Sequence, residues 1–144
     1  MRIAVAATPE VAIPTLDALL ASKHELVCVI TKPDAPSGRG RALQSTPVAY
    51  WAERNNVTLY KPESSELLGG LIADLDLVVT IGFGLLLPLE ILEKPRYGFI
   101  NLHFSLLPRW RGAAPVQRAI EAGDSVTGVT VFQLDAGMDT GPIY

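Results

Sequence analysis

One cysteine in 144 residues excludes an internal disulfide. That residue, Cys28, lies inside the apolar run Leu26-Val27-Cys28-Val29-Ile30 and reads as a small buried hydrophobe, which suits a reducing compartment. There is no Cys/His cluster of the kind that holds zinc, so no metal is expected. No apolar run reaches the roughly 18 residues of a membrane helix. The N-terminus enters an apolar strand directly, without the charged lead and hydrophobic core of an export signal, and a cytoplasmic location is expected. Two nucleotide signatures are missing as well. The first strand is followed by Ala6-Ala7-Thr8-Pro9, not by Gly-x-Gly-x-x-Gly, so the tight backbone approach to a pyrophosphate is lost. The run Ser37-Gly38-Arg39-Gly40-Arg41 lacks the Gly-Lys-Ser/Thr ending of a phosphate loop.

What is present suits one enzyme domain with a real core. The chain is 49% hydrophobic with a mean hydropathy of +0.28, as a buried parallel sheet requires. Strand and helix patterns alternate. Residues 2–6, 25–31, 57–60, 75–80, 98–103 and 126–134 read as strands. Between them, residues 9–20, 47–55, 65–73, 88–93 and 114–122 read as helices or helical turns, with Pro14 near a helix start and Gly69-Gly70 interrupting the third. Residues 32–46 read as a loop rich in Pro, Gly and Ser. This order predicts crossover units and a doubly wound, mostly parallel, Rossmann-like α/β sheet, with no repeat and no linker.

The formal charge of −3 does not itself point to nucleic acid. Positive charge is local, at Lys32, Arg39 and Arg41 in one loop and at Arg109, Arg111 and Arg118 around another. The competing reading for each patch is ordinary solvated surface charge.

The stretch Asn101-Leu102-His103 carries the clearest chemistry. Alternate residues of a strand share a face, so Asn101 and His103 point together, and Pro108 and Gly112 place them at the strand's carboxyl end, where open α/β sheets bind ligands. Capping of neighbouring backbone groups is the competing reading. After the last strand, Asp135-Ala136-Gly137-Met138-Asp139 offers two carboxylates on a glycine-containing loop. An Asn, a His and an Asp at two strand ends suit acyl transfer, but the sequence does not choose between Asp135 and Asp139.

These residues resemble the formyltetrahydrofolate-dependent formyltransferases. The likeness runs through Asn101-Leu102-His103-Phe104-Ser105-Leu106-Leu107-Pro108 and its extension Arg109-Trp110-Arg111-Gly112-Ala113-Ala114-Pro115, which is similar to the branch acting on methionyl-tRNA. It includes Ala7-Thr8-Pro9-Glu10, the run from Thr31 to Arg41, Gly82-Phe83-Gly84-Leu85-Leu86-Leu87-Pro88, and Gly137-Met138-Asp139-Thr140-Gly141-Pro142. Ala7 stands where such enzymes commonly carry Gly. Phe104 stands where a small residue is usual, and it would crowd or reshape the pocket floor.

The resemblance implies transfer of a formyl group from 10-formyltetrahydrofolate to the amino group of methionyl-initiator tRNA, with Asn101, His103 and Asp139 catalytic. It implies that folate lies against Phe83, Gly84, Leu85, Leu86 and the approach to Asp139, covered on its other side by Ser105, Leu106, Leu107 and Pro108. Plain core is the competing reading for Phe83, Leu85 and Leu86. The basic loop with Lys32, Arg39 and Arg41 would engage tRNA. The family normally continues past the point reached by Tyr144 into a barrel domain, so residues 1–144 are expected to be an incomplete catalytic domain, monomeric and without that barrel. A folate-binding fragment without turnover, or an enzyme for a small acceptor, is the alternative.

Overall fold

A computed structural model describes residues 1–37 and 41–144. Its main sheet has six strands: β1 (Arg2–Ala7), β2 (Glu25–Ile30), β5 (Leu59–Tyr60), β6 (Leu77–Ile81), β7 (Phe99–His103) and β8 (Thr130–Gln133). They are ordered β5-β2-β1-β6-β7-β8, all parallel except β8, which runs against β7. The chain winds outward from β1 to one edge, returns, and winds to the other, as the alternating pattern predicted. The topological switch lies between β1 and β6, where Thr8 Oγ1 donates to the Phe83 carbonyl at 3.2 Å and joins the two loops leaving those strands.

Period-two alternation divides the strands between two apolar layers. Ala4, Ala6, Cys28, Ile30, Val78 and Phe99 pack against Leu68, Ile72, Ile91 and Leu92 on one face. Ile3, Val5, Val29, Val79 and Ile81 pack against Ala12, Leu16, Val48, Trp51 and Ala52 on the other. Each fully buried large side chain, such as Leu16 or Phe99, contributes about 1.5–3 kcal/mol. Burial also pushes the Cys28 thiol up to about 11, so it stays a neutral core group.

The helices are α1 (Ile13–Leu20), α2 (Pro47–Arg54), α3 (Gly69–Ile72), α4 (Leu89–Leu92) and α5 (Pro115–Glu121). Pro14 sits in the first turn of α1, after a 3-10 turn at Glu10–Ala12. Gly69-Gly70 does not break its helix. Instead a 3-10 segment, Ser65–Leu68, passes into α3 at Gly69, which lies close under the Lys94 side chain.

Three boundaries depart from the sequence pattern. Residues 32–46, read from the sequence as a loop, contain an antiparallel hairpin, β3 (Ala35–Ser37) with β4 (Ala42–Gln44). Pro36 fits because β3 has a partner on one side only. The hairpin's base is tied by Lys61 Nζ and Ser45 Oγ donating to Asp34 Oδ1 at 2.6 and 2.8 Å. The strand expected over residues 57–60 shortens to its last pair, and that expected over 126–134 to Thr130–Gln133, with Val126 and Val129 left exposed.

Candidate active site

The carboxyl ends of β6 and β7 and the loop after β8 enclose a cavity of about 620 Å³, and Asn101, His103 and Asp139 all line it. Each side chain is held by a neighbour. Thr80, directly across from Asn101 in β6, donates to Asn101 Oδ1 at 2.8 Å, which leaves the amide N–H2 for the cavity. Buried His103 meets the Phe132 ring edge-on at 6.3 Å, and its Nε2 lies 2.9 Å from the Trp110 carbonyl oxygen. A carbonyl only accepts, so Nε2 carries a proton and Nδ1 is the ring nitrogen left to exchange one. Nδ1 faces Asp139 Oδ2 at 3.6 Å.

Asp139 has a left-handed backbone, φ 52°, and its Oδ2 accepts the Gly112 N–H at 2.7 Å. Gly112 is itself at φ 83°, a backbone conformation that favours glycine, and a Cβ there would stand 3.0 Å from Met138 Sδ. Asp135 is exposed and bound within its own loop, where Oδ1 accepts from Gly137 N–H at 2.9 Å and Thr140 Oγ1 at 2.8 Å. The geometry therefore separates the two carboxylates that the sequence left open. Asp139 stands at the imidazole, whereas Asp135, which lines the same cavity, accepts its hydrogen bonds within its own loop.

Phe83, Gly84, Leu85 and Leu86 line the cavity. Phe83 is buried in the sheet's core and Leu85 packs against it, but Leu86 is 91% exposed and has no core role. Phe104 also lines the wall. Ser105, Leu106, Leu107 and Pro108 do not, so the cavity wall does not show them covering a ligand's second side. Hydrogen bonding explains this. Ser105 is fully buried and donates to the Arg109 carbonyl at 2.6 Å, while Thr130 of β8 donates to the Ser105 carbonyl and accepts the Leu107 N–H. Leu106 faces a separate cleft of about 190 Å³ with Arg109, Trp110 and Asp124.

The basic residues have different surroundings. Lys32 lies against the cavity loop, where a Cβ on Gly84 would be 2.6 Å from its Nζ. Exposed Arg41 immediately precedes β4, and Arg39 lies outside the described residues. Arg109 forms a two-bond pair with Asp124, at 2.9 and 2.6 Å, and Asp124 also accepts the Trp110 indole N–H at 2.6 Å. Arg109, and then Trp110, hold the Asp124 carboxyl below the usual carboxylate range. Sequence reasoning gave no role to Thr80, the Trp110 carbonyl, the Gly112 N–H or Asp124. Thr80 had a signal as the one polar residue in Leu77–Ile81, whereas backbone groups have none.

The family described as formyl transferase matches residues 1–144. The methionyl-tRNA formyltransferase of Salinispora tropica is 53% identical over all of this chain, which covers 48% of that relative. The chain thus spans about half the length of the curated relatives it matches. Among solved structures, a phosphoribosylglycinamide formyltransferase from Bacillus halodurans superposes with a TM-score of 0.76 at 26% identity, over 99% of this chain and 76% of that one. The enzyme of the same name from Anaplasma phagocytophilum, at TM-score 0.79 and 23% identity over 99% and 69%, shares the fold.

Proposed function

The chain belongs to the formyl transferase family, and on that premise we propose that it moves a formyl group from 10-formyltetrahydrofolate to the amino group of methionyl-initiator tRNA. The observation that carries the chemistry is the imidazole of His103 held between the Trp110 carbonyl and Asp139, with the Asn101 amide on the same cavity wall. The acceptor rests on the likeness to relatives named for methionyl-tRNA.

Attack of the amine on the formyl carbon makes a tetrahedral centre whose oxygen gains negative charge. Asn101 N–H2 is a donor for that oxygen. Because Nε2 is engaged, His103 acts through Nδ1, which takes the proton the amine loses and passes it to the folate nitrogen as the carbon–nitrogen bond to the donor breaks. The Asp139 carboxylate faces the positive charge that arrives on the ring. Leu85, Leu86 and Phe83 supply the apolar wall for a flat pterin ring. Exposed Arg41, with Arg39 and Lys32, supplies positive charge for tRNA phosphates.

Incubation with 10-formyltetrahydrofolate and charged initiator tRNA should yield formylmethionine. Donor binding without transfer would instead favour a folate-binding role, and faster use of a small amine acceptor would overturn the choice of tRNA.

A further inference from the structure

The proton on His103 Nε2 depends on one acceptor, the Trp110 carbonyl, and that carbonyl belongs to a residue at φ 61° in a loop. Something must hold it. Trp110 makes its side-chain hydrogen bond to Asp124, and the neighbouring Arg109 lies over the indole at 4.4 Å while gripping the same carboxylate with two bonds.

Asp124 is itself aimed by the way α5 ends. Gly123, at φ 69°, takes the left-handed turn after Ala122. Its N–H donates to the Ile120 carbonyl at 3.0 Å, and the Asp124 N–H donates to the Ala119 carbonyl at 2.9 Å. This pair of bonds is a Schellman motif, and it fixes the backbone of the residue after the glycine. The other end of α5 starts at Pro115, which lines the cavity. The helix therefore connects the wall of the site to the carboxylate that holds the loop behind the imidazole.

We propose that Asp124 is a positioning residue for the reaction: by holding the Trp110 indole and the Arg109 guanidinium, it keeps the Trp110 carbonyl on His103 Nε2 and so keeps Nδ1 toward Asp139 and the cavity. Asp124 lines the separate cleft and not the cavity that holds Asn101 and His103. Its effect passes through a backbone oxygen, so the imidazole tautomer reports it directly. The kinetic part of the proposal rests on the formyl-transfer reading, and the tautomer part does not.

The test is nitrogen-15 NMR of the histidine rings, of which the chain has two, His24 and His103, in the parent, Asp124→Ala, Asp124→Asn and Trp110→Phe. In its singly protonated form the parent's His103 should carry the proton on Nε2. Asp124→Ala and Trp110→Phe should give a mixture of tautomers, and Asp124→Asn, which keeps an acceptor for the indole, should restore much of the parent pattern. Formyl transfer by Asp124→Ala should fall about tenfold to a hundredfold in kcat, with KM for the folate donor within about twofold. An unchanged His103 tautomer in folded Asp124→Ala overturns the proposal. Should that variant not fold, Trp110→Phe decides in the same way. If the parent itself transfers no formyl group, the formyl-transfer reading fails, and the tautomer alone decides the role of Asp124.

Discussion

The loop after β2 and the loop after β7 leave the sheet at the same end, and both carry arginines. In the second, exposed Arg109 is paired at the surface: Asp124 holds its guanidinium and the Trp110 indole together, and the adjoining backbone supports His103. In the first, among the described residues, the ion pair lies at the hairpin's base, at Lys61 and Asp34, while Arg41 stands exposed just before β4. Equal-looking clusters of charge thus have different surroundings. One is paired beside the site, and the other leaves Arg41 exposed. The difference comes from the acids that the fold brings near: Asp124 arrives from the end of α5, fifteen residues on in sequence.

The largest effects should come from the rigid side of that contrast. Asn101→Ala, His103→Ala and Asp139→Asn are each expected to lower formyl transfer about a hundredfold or more. Asp135→Asn should cost about tenfold at most, because that carboxylate binds only its own loop. Steady-state rates with 10-formyltetrahydrofolate and charged tRNA measure this. A dead Asp135→Asn beside an active Asp139→Asn would reverse the assignment. The His103 and Asp139 losses should also be far from additive, as expected of groups acting as a unit.

How far the sequence carried depended on whether a residue's role was written in its own side chain. Period-two alternation was enough to place the six strands, since Ile3, Val5 and Val29 must face one layer while Ala4 and Cys28 face the other. Strand geometry likewise put Asn101 and His103 on one cavity. The hairpin at 35–44 was hidden because Pro and Gly signal a turn without saying what pairs across it. The strand before Gln133 was overread, since Val126 and Val129 look like core but lie outside the sheet. Asp124 was invisible for a different reason. Its partners are fixed only by the Schellman turn at Gly123, and its effect on His103 runs through a carbonyl that every residue type possesses.

A smaller effect would sharpen the contrast directly. Arg41→Ala should weaken tRNA binding and reduce the slope of log affinity against log salt by about one, as loss of one phosphate contact does. Arg109→Ala should leave that slope nearly unchanged, because its charge is already paired with Asp124. Titrating binding between low and moderate salt separates the two. Equal slope changes in both variants would mean that Arg109 leaves Asp124 to meet tRNA, and the comparison of the loops would fail.

Acid should loosen the carboxylate contacts of both loops. Lys61 and then Ser45 hold Asp34 below the usual carboxylate range, as Arg109 and then Trp110 hold Asp124. A carboxyl lowered on folding adds stability that is fully present above its unfolded value of about 3.9 and is lost as pH falls through the lowered native value. The Trp110 indole N–H resonance should therefore hold steady from neutrality to about pH 4 and move only below it. In Asp124→Asn that acid transition should vanish. Movement of the signal near neutral pH would assign the clamp to a different titrating group.

The smallest effect is expected at the hairpin's exit, where Thr46 accepts the Ala49 N–H at 3.1 Å as the N-cap of α2 and shares a 2.8 Å hydrogen bond with buried Thr31. Thr46→Ala removes both, leaving one helix N–H and one buried hydroxyl short of a partner. A loss of about 1–2 kcal/mol in unfolding free energy is expected, measured by denaturant titration. The effect on formyl transfer should stay within about twofold, since no bond from Thr46 reaches the His103 side of the sheet. A tenfold fall in kcat at unchanged donor affinity would show that the hairpin and the His103 loop move as one. The two loops would then be parts of a single device, and their different use of charge would no longer separate shape from recognition.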